Sequence, residues 1–311
     1  MRAVVVKELG QPPVLDERPE PVAGEGEVVV DVAAAALNPI DLSTASGTFH
    51  GAVPERPYVP GREGVGRVDG GERSYFEAKP PNGSLAEKAV ADAAALVPLP
   101  DAVDDALATA FGVAGLAAWL ALERRAHVGE GDKVLVLGAS GVVGQIGVQA
   151  AKLMGASLVV ATARDAEGLA RARELGADRT LRMDVAGDMA EAFKEITDGG
   201  PDVVLDPLWG EPVVKAVEAA AQGARIAHVG QSAGPTAALP SGSVRGKELS
   251  ILGHSNFAVP REEKNAAYRR MLEHCAAGEL TVDVETMPLD RIGEAWELQA
   301  KGPHKKLVLI P

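Results

Sequence analysis

Residues 134–144, with the sequence VLVLGASGVVG, constrain the fold of this chain more than any other segment. Four apolar residues predict a buried strand at 134–137, which runs directly into a glycine-rich turn. A helix is expected from about residue 144 to residue 154, and residues 158–162 predict a second strand. This order of strand, glycine turn, helix and strand is the context in which such a turn binds a dinucleotide. The alternative is a structural corner that holds no ligand.

The glycines of this turn have separate expected roles. Gly141 lets the backbone approach a diphosphate closely, and Gly144 lets the helix pack against the strand. Free N–H groups at the helix start, together with the helix dipole, favour an anion there. The residues that we expect to bind the diphosphate are Ala139, Ser140, Gly141, Val142 and Val143.

Beyond residue 133 the chain alternates between apolar strands and helices. A helix is predicted at 167–175, ending at Gly176, and apolar strands are predicted at 134–137, 158–162, 203–206, 225–229 and 249–252. Regular alternation of this kind predicts an α/β fold with a doubly wound parallel sheet. We therefore expect a Rossmann dinucleotide-binding domain over residues 113–257.

The first 100 residues read differently, with short strands separated by Gly and Pro. Residues 101–122 predict a helix rich in Ala and Leu. After residue 260 the pattern becomes helix, strand, helix and strand, a stretch too short for a domain of its own. We expect residues 1–112 and 258–311 to form one β-rich domain together.

The second strand of the parallel sheet ends Thr162-Ala163-Arg164. An NAD site usually offers an acidic side chain near this point, for the ribose hydroxyls. An arginine suits a 2′-phosphate instead, because its guanidinium binds phosphate through two N–H groups. We therefore expect NADPH, bound by Thr162, Ala163, Arg164 and Arg182. The alternative is that Arg164 is a solvated charge and Asp165 contacts the ribose.

Composition disfavours several classes of partner and limits disulfides, zinc sites and membrane segments. The chain has 44 acidic and 31 basic residues, a formal net charge of −13, which disfavours nucleic acid and anionic membranes. Its one cysteine, Cys275, allows neither a disulfide framework nor a cysteine-based zinc site. The apolar run at residues 3–6 is too short for a signal peptide or a membrane span, so we expect a cytoplasmic protein.

Several motifs together resemble one family, the zinc-free quinone oxidoreductase branch of the medium-chain dehydrogenase/reductase superfamily. They are residues 38–41 (NPID), 60–66 (PGREGVG), 115–119 (GLAAW), 174–178 (ELGAD), 227–230 (AHVG) and 306–309 (KLVL). The resemblance spans nearly the whole chain. It implies a GroES-like β-rich substrate domain beside the Rossmann domain. It also implies NADPH-dependent hydride transfer to a quinone or an α,β-unsaturated carbonyl.

Departures from the zinc-containing members of that superfamily bear on the chemistry. Asn38 stands where the zinc enzymes place a catalytic cysteine, and Arg62 where they place a histidine ligand. The four-cysteine structural zinc lobe is missing. Because tetrahedral zinc needs three or four N or S ligands, we expect no metal.

The acceptor site is expected around residues 38–49. Quinone-reductase relatives often carry tyrosines after the Asn-Pro-x-Asp turn, where this chain has Ser43 and Phe49. We expect Asn38 and Ser43, with Thr44 as a further candidate, to line the acceptor site. Asn38 would donate a hydrogen bond to the acceptor oxygen or to the cofactor. The alternative for Asn38 and Asp41 is turn chemistry, with Asp41 as a helix N-cap.

The ends of the later strands should face the nicotinamide, because ligands lie beyond the carboxyl ends of parallel strands. The residues expected there are Val229, Gly230, Gln231, Ser255 and Asn256. His254 is a candidate proton donor, although a structural or exposed histidine is the alternative. Asp206 is expected to cap or pack, and Trp209 to form a wall.

Three further expectations concern the chain terminus, the assembly and the reaction. Lys305 and Lys306 either approach the diphosphate or are solvated. The strand at 249–252 would be an exposed apolar edge, which favours a homodimer. Two other functions stay open besides quinone or enone reduction: an enoyl-thioester reductase, and an NADPH-binding sensor or structural protein with negligible turnover.

Overall fold

The computed structural model describes residues 1–49, 51–185 and 187–311. The chain divides into two compact units. The β-rich unit comprises Met1–Ala114, Arg261–Gly278 and Val282–Pro311. The parallel-sheet unit comprises Gly115–Pro260 and Glu279–Thr281.

The parallel-sheet unit contains one six-stranded sheet in which every strand pair is parallel. The strand order is β10-β9-β8-β11-β12-β13, so the direction of winding reverses beside β8. This is the order of a Rossmann sheet and confirms the predicted fold class. The strands are β8 (Lys133–Val136), β9 (Leu158–Ala163), β10 (Arg179–Arg182), β11 (Val203–Asp206), β12 (Arg225–His228) and β13 (Ser250–Gly253).

Helices connect these strands and bury an apolar core built around Leu135, Val160, Phe193 and Val213. Aspartates begin two of the helices, since Asp165 and Asp188 accept hydrogen bonds from backbone N–H groups of the first turn. The helices are α3 (Leu116–Leu120), α4 (Val142–Leu153), α5 (Ala166–Glu174), α6 (Met189–Ile196), α7 (Gly210–Ala219) and α8 (Ser241–Gly246).

The β-rich unit contains a two-stranded sheet, β1 with β2, and a seven-stranded sheet. In the larger sheet the order is β14-β15-β3-β4-β5-β7, and β6 pairs with β3. The strands are β1 (Arg2–Val5), β2 (Val14–Glu17), β3 (Glu27–Ala36), β4 (Glu63–Arg67), β5 (Arg73–Glu77), β6 (Lys88–Asp92), β7 (Val97–Pro98), β14 (Val284–Pro288) and β15 (Lys306–Ile310). The C-terminal strands therefore complete the N-terminal sheet.

The helices of the β-rich unit are α1 (Pro39–Ala45), α2 (Asp105–Ala110), α9 (Arg261–Ala276) and α10 (Ile292–Lys301). Asp104 begins α2 by accepting the N–H groups of Ala106 and Leu107. The helical segment Asp105–Arg125 is long and apolar enough to span a membrane by length and composition, but 78% of its apolar window is buried inside the protein. Such burial is typical of a core helix.

Strand β5 was not predicted from the sequence. No strand was predicted individually at Arg73–Glu77, yet this segment pairs with β4 along its whole length. The turn residues on either side, Gly70, Gly71 and Pro80, concealed five residues that alternate across the sheet.

Candidate functional site

The glycine turn of the parallel-sheet unit leaves no room for a side chain at Gly144. Gly138 has φ +62°, and the N–H of Ala139 donates to the Thr162 carbonyl at 2.8 Å. A Cβ at Gly144 would lie 2.4 Å from the Gly138 carbonyl oxygen and 2.5 Å from the Ala139 Cα. The predicted role of Gly144, close packing of helix against strand, has this geometric basis.

Gly141 is different, because the protein itself does not require a glycine there. Its φ is −77°, and an added Cβ would lie 3.5 Å from the Gly138 oxygen, an ordinary contact. It directly precedes α4, where Val142 and Val143 open a helix of 12 residues. The N–H groups of that first turn have no helical partners, which makes the turn a site for an anion. The turn therefore fits a diphosphate.

The predicted 2′-phosphate residues lie near the start of α5. Arg164 is exposed, as is Arg182, whose guanidinium pairs with Asp184 at 2.5 Å. Asp165 accepts the Gly168 N–H at 2.6 Å and so caps α5 with one of its oxygens. A Cβ on Gly168 would lie 2.3 Å from the Ser140 Cβ, so the start of α5 packs directly against the glycine turn.

Two other predicted cofactor residues lie inside the sheet. Thr162 is fully buried and its hydroxyl donates to the Val136 carbonyl at 3.1 Å. Ala163 is also buried. The Thr162 hydroxyl is therefore already engaged within the sheet. Thr162 can contribute to a cofactor site only by its place near the end of β9.

The remaining predicted cofactor residues follow β12 and β13. Val229 and Gly230 are half-buried and Gln231 is exposed. A Cβ at Gly230 would lie 2.8 Å from the Pro207 carbonyl oxygen, which explains the glycine. Ser255 is exposed, and Asn256 Oδ1 accepts a hydrogen bond from His254 Nε2 at 2.8 Å.

Sequence reasoning missed a side-chain pair at the carboxyl ends of β11 and β12. Nδ1 of His228 lies 2.9 Å from Oδ2 of Asp206, and the Trp209 ring packs against the imidazole with centroids 4.2 Å apart. Asp206 also accepts the N–H groups of Leu208 and Trp209, which confirms its expected capping role. The available signal was that residue 206 ends a predicted strand of a parallel sheet and that residue 228 lies one residue before the end of another.

In the β-rich unit, a fully buried carboxylate is the centre of a polar network. Glu63 accepts hydrogen bonds from Asn38 Nδ2 at 2.9 Å, Lys306 Nζ at 2.9 Å and the Tyr75 hydroxyl at 3.3 Å. Lys306 is only 3% exposed. The expectation that Lys306 is solvated or near the diphosphate is therefore wrong, since it lies on β15 in contact with β-rich-unit residues. Lys305 is half-exposed and pairs with Glu285 at 3.4 Å.

A π-helical turn completes this network. Within residues Phe111–Gly115 the helix is widened, and the Val113 N–H donates a short hydrogen bond to Glu63. A Cβ at Gly112 would meet the Glu63 carboxylate and the Tyr75 hydroxyl, so only glycine fits. Turns of this kind inside an α-helix often occur at functional sites. Burial and the neighbouring Glu63 charge raise the pKa of Tyr75 well above its usual value.

Both ends of the Asn38 side chain are bonded in the same network. Its Oδ1 accepts from Lys306 at 2.5 Å while its Nδ2 donates to Glu63. An ammonium only donates and a carboxylate only accepts, so these partners determine which end of the amide is oxygen. Among residues 1–49, 51–185 and 187–311, Nδ2 donates only to Glu63, which leaves its second hydrogen for another acceptor.

Asp41 is not the N-cap of α1, which corrects that expectation. Asn38 occupies the N-cap position, and Asp41 lies three residues later. Its carboxylate accepts the Asn38 N–H at 2.9 Å and the Gly61 N–H at 3.2 Å, and so joins α1 to the segment before β4. Burial raises the pKa of Asp41 to about 6, although these bonds and the charge of Arg62 act in the opposite direction.

The other acceptor-site candidates lie on or near α1. The Ser43 and Thr44 hydroxyls both donate to the Ile40 carbonyl, at 3.1 and 2.7 Å. Ser43 is half-buried and Thr44 is buried. The central guanidinium carbon of Arg62 lies 5.9 Å from the centroid of the Phe49 ring. The residue at the histidine position of the zinc enzymes therefore contacts the residue at a tyrosine position of the quinone reductases.

Metal ligands are not assembled in the described parts of the chain. Among residues 1–49, 51–185 and 187–311, no three His, Cys, Asp or Glu side chains are placed to share an ion. His50 lies outside the described residues. The expectation that the protein needs no zinc rests on the residue types at positions 38 and 62.

Two family models match the chain. Residues 142–274 match the zinc-binding dehydrogenase model, and residues 24–78 match the alcohol dehydrogenase GroES-like domain. A solved structure of the quinone oxidoreductase from Thermus thermophilus, described together with its NADPH complex, superposes with a TM-score of 0.87. It is 33% identical, with all of both chains covered.

Curated relatives show the same likeness. The chain is 31% identical over 304 residues to one chain of the phenolphthiocerol/phthiocerol polyketide synthase of Mycobacterium tuberculosis, of whose length it spans 13%. It is 30% identical over 325 residues to the quinone oxidoreductase of Lama guanicoe, with 100% of this chain and 97% of that protein covered. The folds of the two units, the two family models and these relatives all agree. The chain therefore belongs to the quinone oxidoreductase branch of the medium-chain dehydrogenase/reductase superfamily.

Proposed function

We propose that the chain is an NADPH-dependent oxidoreductase that reduces a quinone or an α,β-unsaturated carbonyl without a metal. The observation that carries this proposal is the glycine turn. Gly144 is required by packing, but Gly141 is not, so the space at Gly141 is free for a ligand. The start of α4 offers N–H groups beside that space. The relatives named quinone oxidoreductase support the reaction class.

The bound dihydronicotinamide would supply a hydride to the acceptor. The chain has to bind and orient the cofactor, and the residues proposed for this are those of the glycine turn, the ends of β9 and β12, and Ser255 and Asn256. Arg164 and Arg182 would hold the 2′-phosphate, since guanidinium groups bind phosphate through paired N–H donors.

On the acceptor side we propose Asn38 and Ser43. The network of Glu63 and Lys306 holds the Asn38 amide with one N–H left over, which suits an acceptor that gains negative charge on oxygen. Ser43 and Phe49 stand where quinone-reductase relatives often carry tyrosines that face the acceptor. The identity of the acceptor, a quinone or an enone, is therefore itself proposed. Zinc independence follows from Asn38 and Arg62, neither of which is a zinc ligand in proteins.

Arg164→Ala tests the cofactor assignment. Loss of the guanidinium should weaken NADPH binding by about 10- to 100-fold and leave NADH binding unchanged, because one charge-assisted bidentate contact contributes about 1.5–3 kcal/mol. Fluorescence titration of both cofactors measures the change. The matched control is Arg173→Ala, an exposed arginine further along α5. Equal losses for NADPH and NADH would show that Arg164 does not read the 2′-phosphate.

An enoyl-thioester reductase is the second candidate. It is favoured by the match to a polyketide synthase chain, which covers 91% of this chain. Competition decides between the two: acyl thioesters that displace free enones at equal concentration would support the thioester reductase. Tight NADPH binding with no oxidation across quinones, enones and thioesters would support a sensor or structural protein instead.

We also propose a cytoplasmic homodimer. Strand β13 is an edge of the parallel sheet, and Ile251 on it is 36% exposed. Pairing with a second copy would cover that edge. Light scattering at micromolar concentration should give twice the 32.1 kDa chain mass, and Ile251→Lys should shift the protein to monomer. A monodisperse wild-type monomer would contradict the dimer.

A further inference from the structure

Asp206 and His228 form a pair that none of the roles above uses. They are register partners on the adjacent parallel strands β11 and β12, so their side chains project from the same face. The Asp206 side chain is fully buried, whereas that of His228 is 28% exposed. A buried carboxylate thus holds one nitrogen of a ring that reaches solvent.

Trp209 encloses this pair in an unusual conformation. Its φ of +56° and ψ of −157° fall in a region that residues with a side chain rarely adopt. The N–H of Trp209 donates to Asp206 Oδ1 at 2.8 Å, and its ring contacts the His228 imidazole. One carboxylate therefore holds the strained backbone with one oxygen and the imidazole with the other. Such outliers cluster at active sites and ligand contacts.

The pair lies at the edge of the sheet where ligands of this fold bind. The loop after β11 packs on the glycine turn, since a Cβ at Gly138 would lie 2.9 Å from Leu208 Cδ2. Within the same loop, the Pro207 carbonyl lies against Gly230, which follows β12. In open parallel sheets, ligands occupy the crevice beyond the carboxyl ends of the strands.

The contact determines the tautomer of the ring. A carboxylate only accepts, so the hydrogen between Asp206 and His228 belongs to Nδ1. Nε2 then carries the lone pair of the neutral ring, or the second proton of the imidazolium. A buried carboxylate on Nδ1 orients the ring and fixes its tautomer, as in other Asp–His pairs.

We infer that His228 is the general acid of the reduction and that Asp206 is its positioning residue. This inference rests on the proposed function. The acceptor gains two electrons and one proton as hydride, and its oxygen becomes an oxyanion. The Nε2–H bond of the imidazolium then breaks, an O–H bond forms on the oxyanion, and the electron pair stays on Nε2. One proton from solvent restores the imidazolium, so one cofactor hydride and one solvent proton are consumed per acceptor.

Charged and titratable groups approach the ring from both neighbouring strands. Asp206 contacts it from β11. On the β13 side the Arg125 guanidinium donates to the Gly253 carbonyl at 3.1 Å, and the His254 N–H donates to the His228 carbonyl. The His254 ring itself is bonded to Asn256, and burial lowers its pKa. His228 therefore fits the role of proton donor better than His254, which the sequence suggested.

His228→Asn is the decisive variant, because the amide of asparagine keeps a donor near the Nδ1 position and removes Nε2. The bond to Asp206 is retained, so the protein should fold and bind NADPH as the wild type does, with the melting temperature lowered only by the lost contact with the Trp209 ring. Turnover of a simple enone should fall by about 100-fold or more, the usual contribution of a general acid. Turnover of 1,4-benzoquinone should fall less, because the hydroquinone oxyanion is a weaker base than an enolate.

The pH profile provides a readout that a structural role would not change. Enone turnover by the wild type and by His228→Asn should depend on pH differently, because only the wild type carries a proton donor at position 228. His127→Asn, at an exposed histidine of the same unit, is the matched control and should behave as wild type. Wild-type rates and an unchanged profile in His228→Asn would overturn the inference.

A measurement without turnover completes the test. In nitrogen-15 NMR of the neutral ring, wild-type His228 should carry its hydrogen on Nδ1, and Asp206→Asn should move it to Nε2. Protonation on Nε2 in the wild type would overturn the role of Asp206. If the wild-type protein oxidises NADPH with no acceptor at all, the proposed function fails, and this NMR result still reports on the pair alone.

Discussion

Replacing Lys306 by methionine should destabilise the β-rich unit by about 3–5 kcal/mol, the usual cost of breaking a buried ion pair. The reason is that Glu63 would keep its charge in a fully buried position with only neutral donors. Urea unfolding measures the change. Lys305→Met is the matched control, because that neighbouring side chain is half-exposed and its ion pair is long. It should change the unfolding free energy by less than about 0.5 kcal/mol.

The double variant Glu63→Gln with Lys306→Met separates charge from packing. A glutamine oxygen can still accept from Val113 and Asn38, and no uncompensated charge is left behind. The double variant should therefore be more stable than Lys306→Met alone. A cost below about 1 kcal/mol for Lys306→Met would contradict the buried ion pair.

Gly144→Ala should damage both folding and cofactor binding. The new methyl group would overlap the Gly138 carbonyl and the Ala139 Cα, and both are backbone atoms that move only if the turn opens. We expect a loss of about 1–3 kcal/mol or more in unfolding free energy. NADPH affinity should fall with it, because the N–H groups of the turn lose their arrangement.

Gly141→Ala should separate the two effects. Its Cβ makes only an ordinary contact within the protein, so the unfolding free energy should change by less than about 0.5 kcal/mol. NADPH affinity should fall about tenfold or more, since the methyl group enters the space left for the diphosphate. Unchanged affinity in Gly141→Ala would show that the diphosphate does not lie there.

The sequence predicted the parallel sheet well, and for a physical reason. Its inner strands are buried on both faces and read as apolar runs, such as residues 203–206, which the structure shows as β11 with the same bounds. The edge strands β10 and β13 are partly exposed. The glycine turn was equally readable, because strand, turn and helix adjoin in the chain. Local patterns of this kind need no knowledge of distant partners.

The polar network of the β-rich unit could not be predicted in the same way. Glu63 and Lys306 are 243 residues apart, and nothing near either position marks it as buried. A lysine near a chain end is usually exposed, so Lys306 was expected in solvent. The sheet brings the two together because β15 and β4 both pair with β3.

The Asp206–His228 pair could be predicted from the sequence only in part. Asp206 was predicted as the end of one strand and His228 one residue before the end of another, and the strand order of a Rossmann sheet places those strands side by side. What the sequence lacked was the register, which sets residue 206 opposite residue 228. The backbone conformation of Trp209 is not visible in sequence either.

The most direct test of the proposed reaction is a titration of the purified protein with NADPH and with NADH, followed by mixing with 1,4-benzoquinone or an enone. We expect tighter binding of NADPH, and oxidation of the bound cofactor only when an acceptor is added. Binding without oxidation across both acceptors would contradict the proposed reaction, and preference for NADH would contradict the role of Arg164.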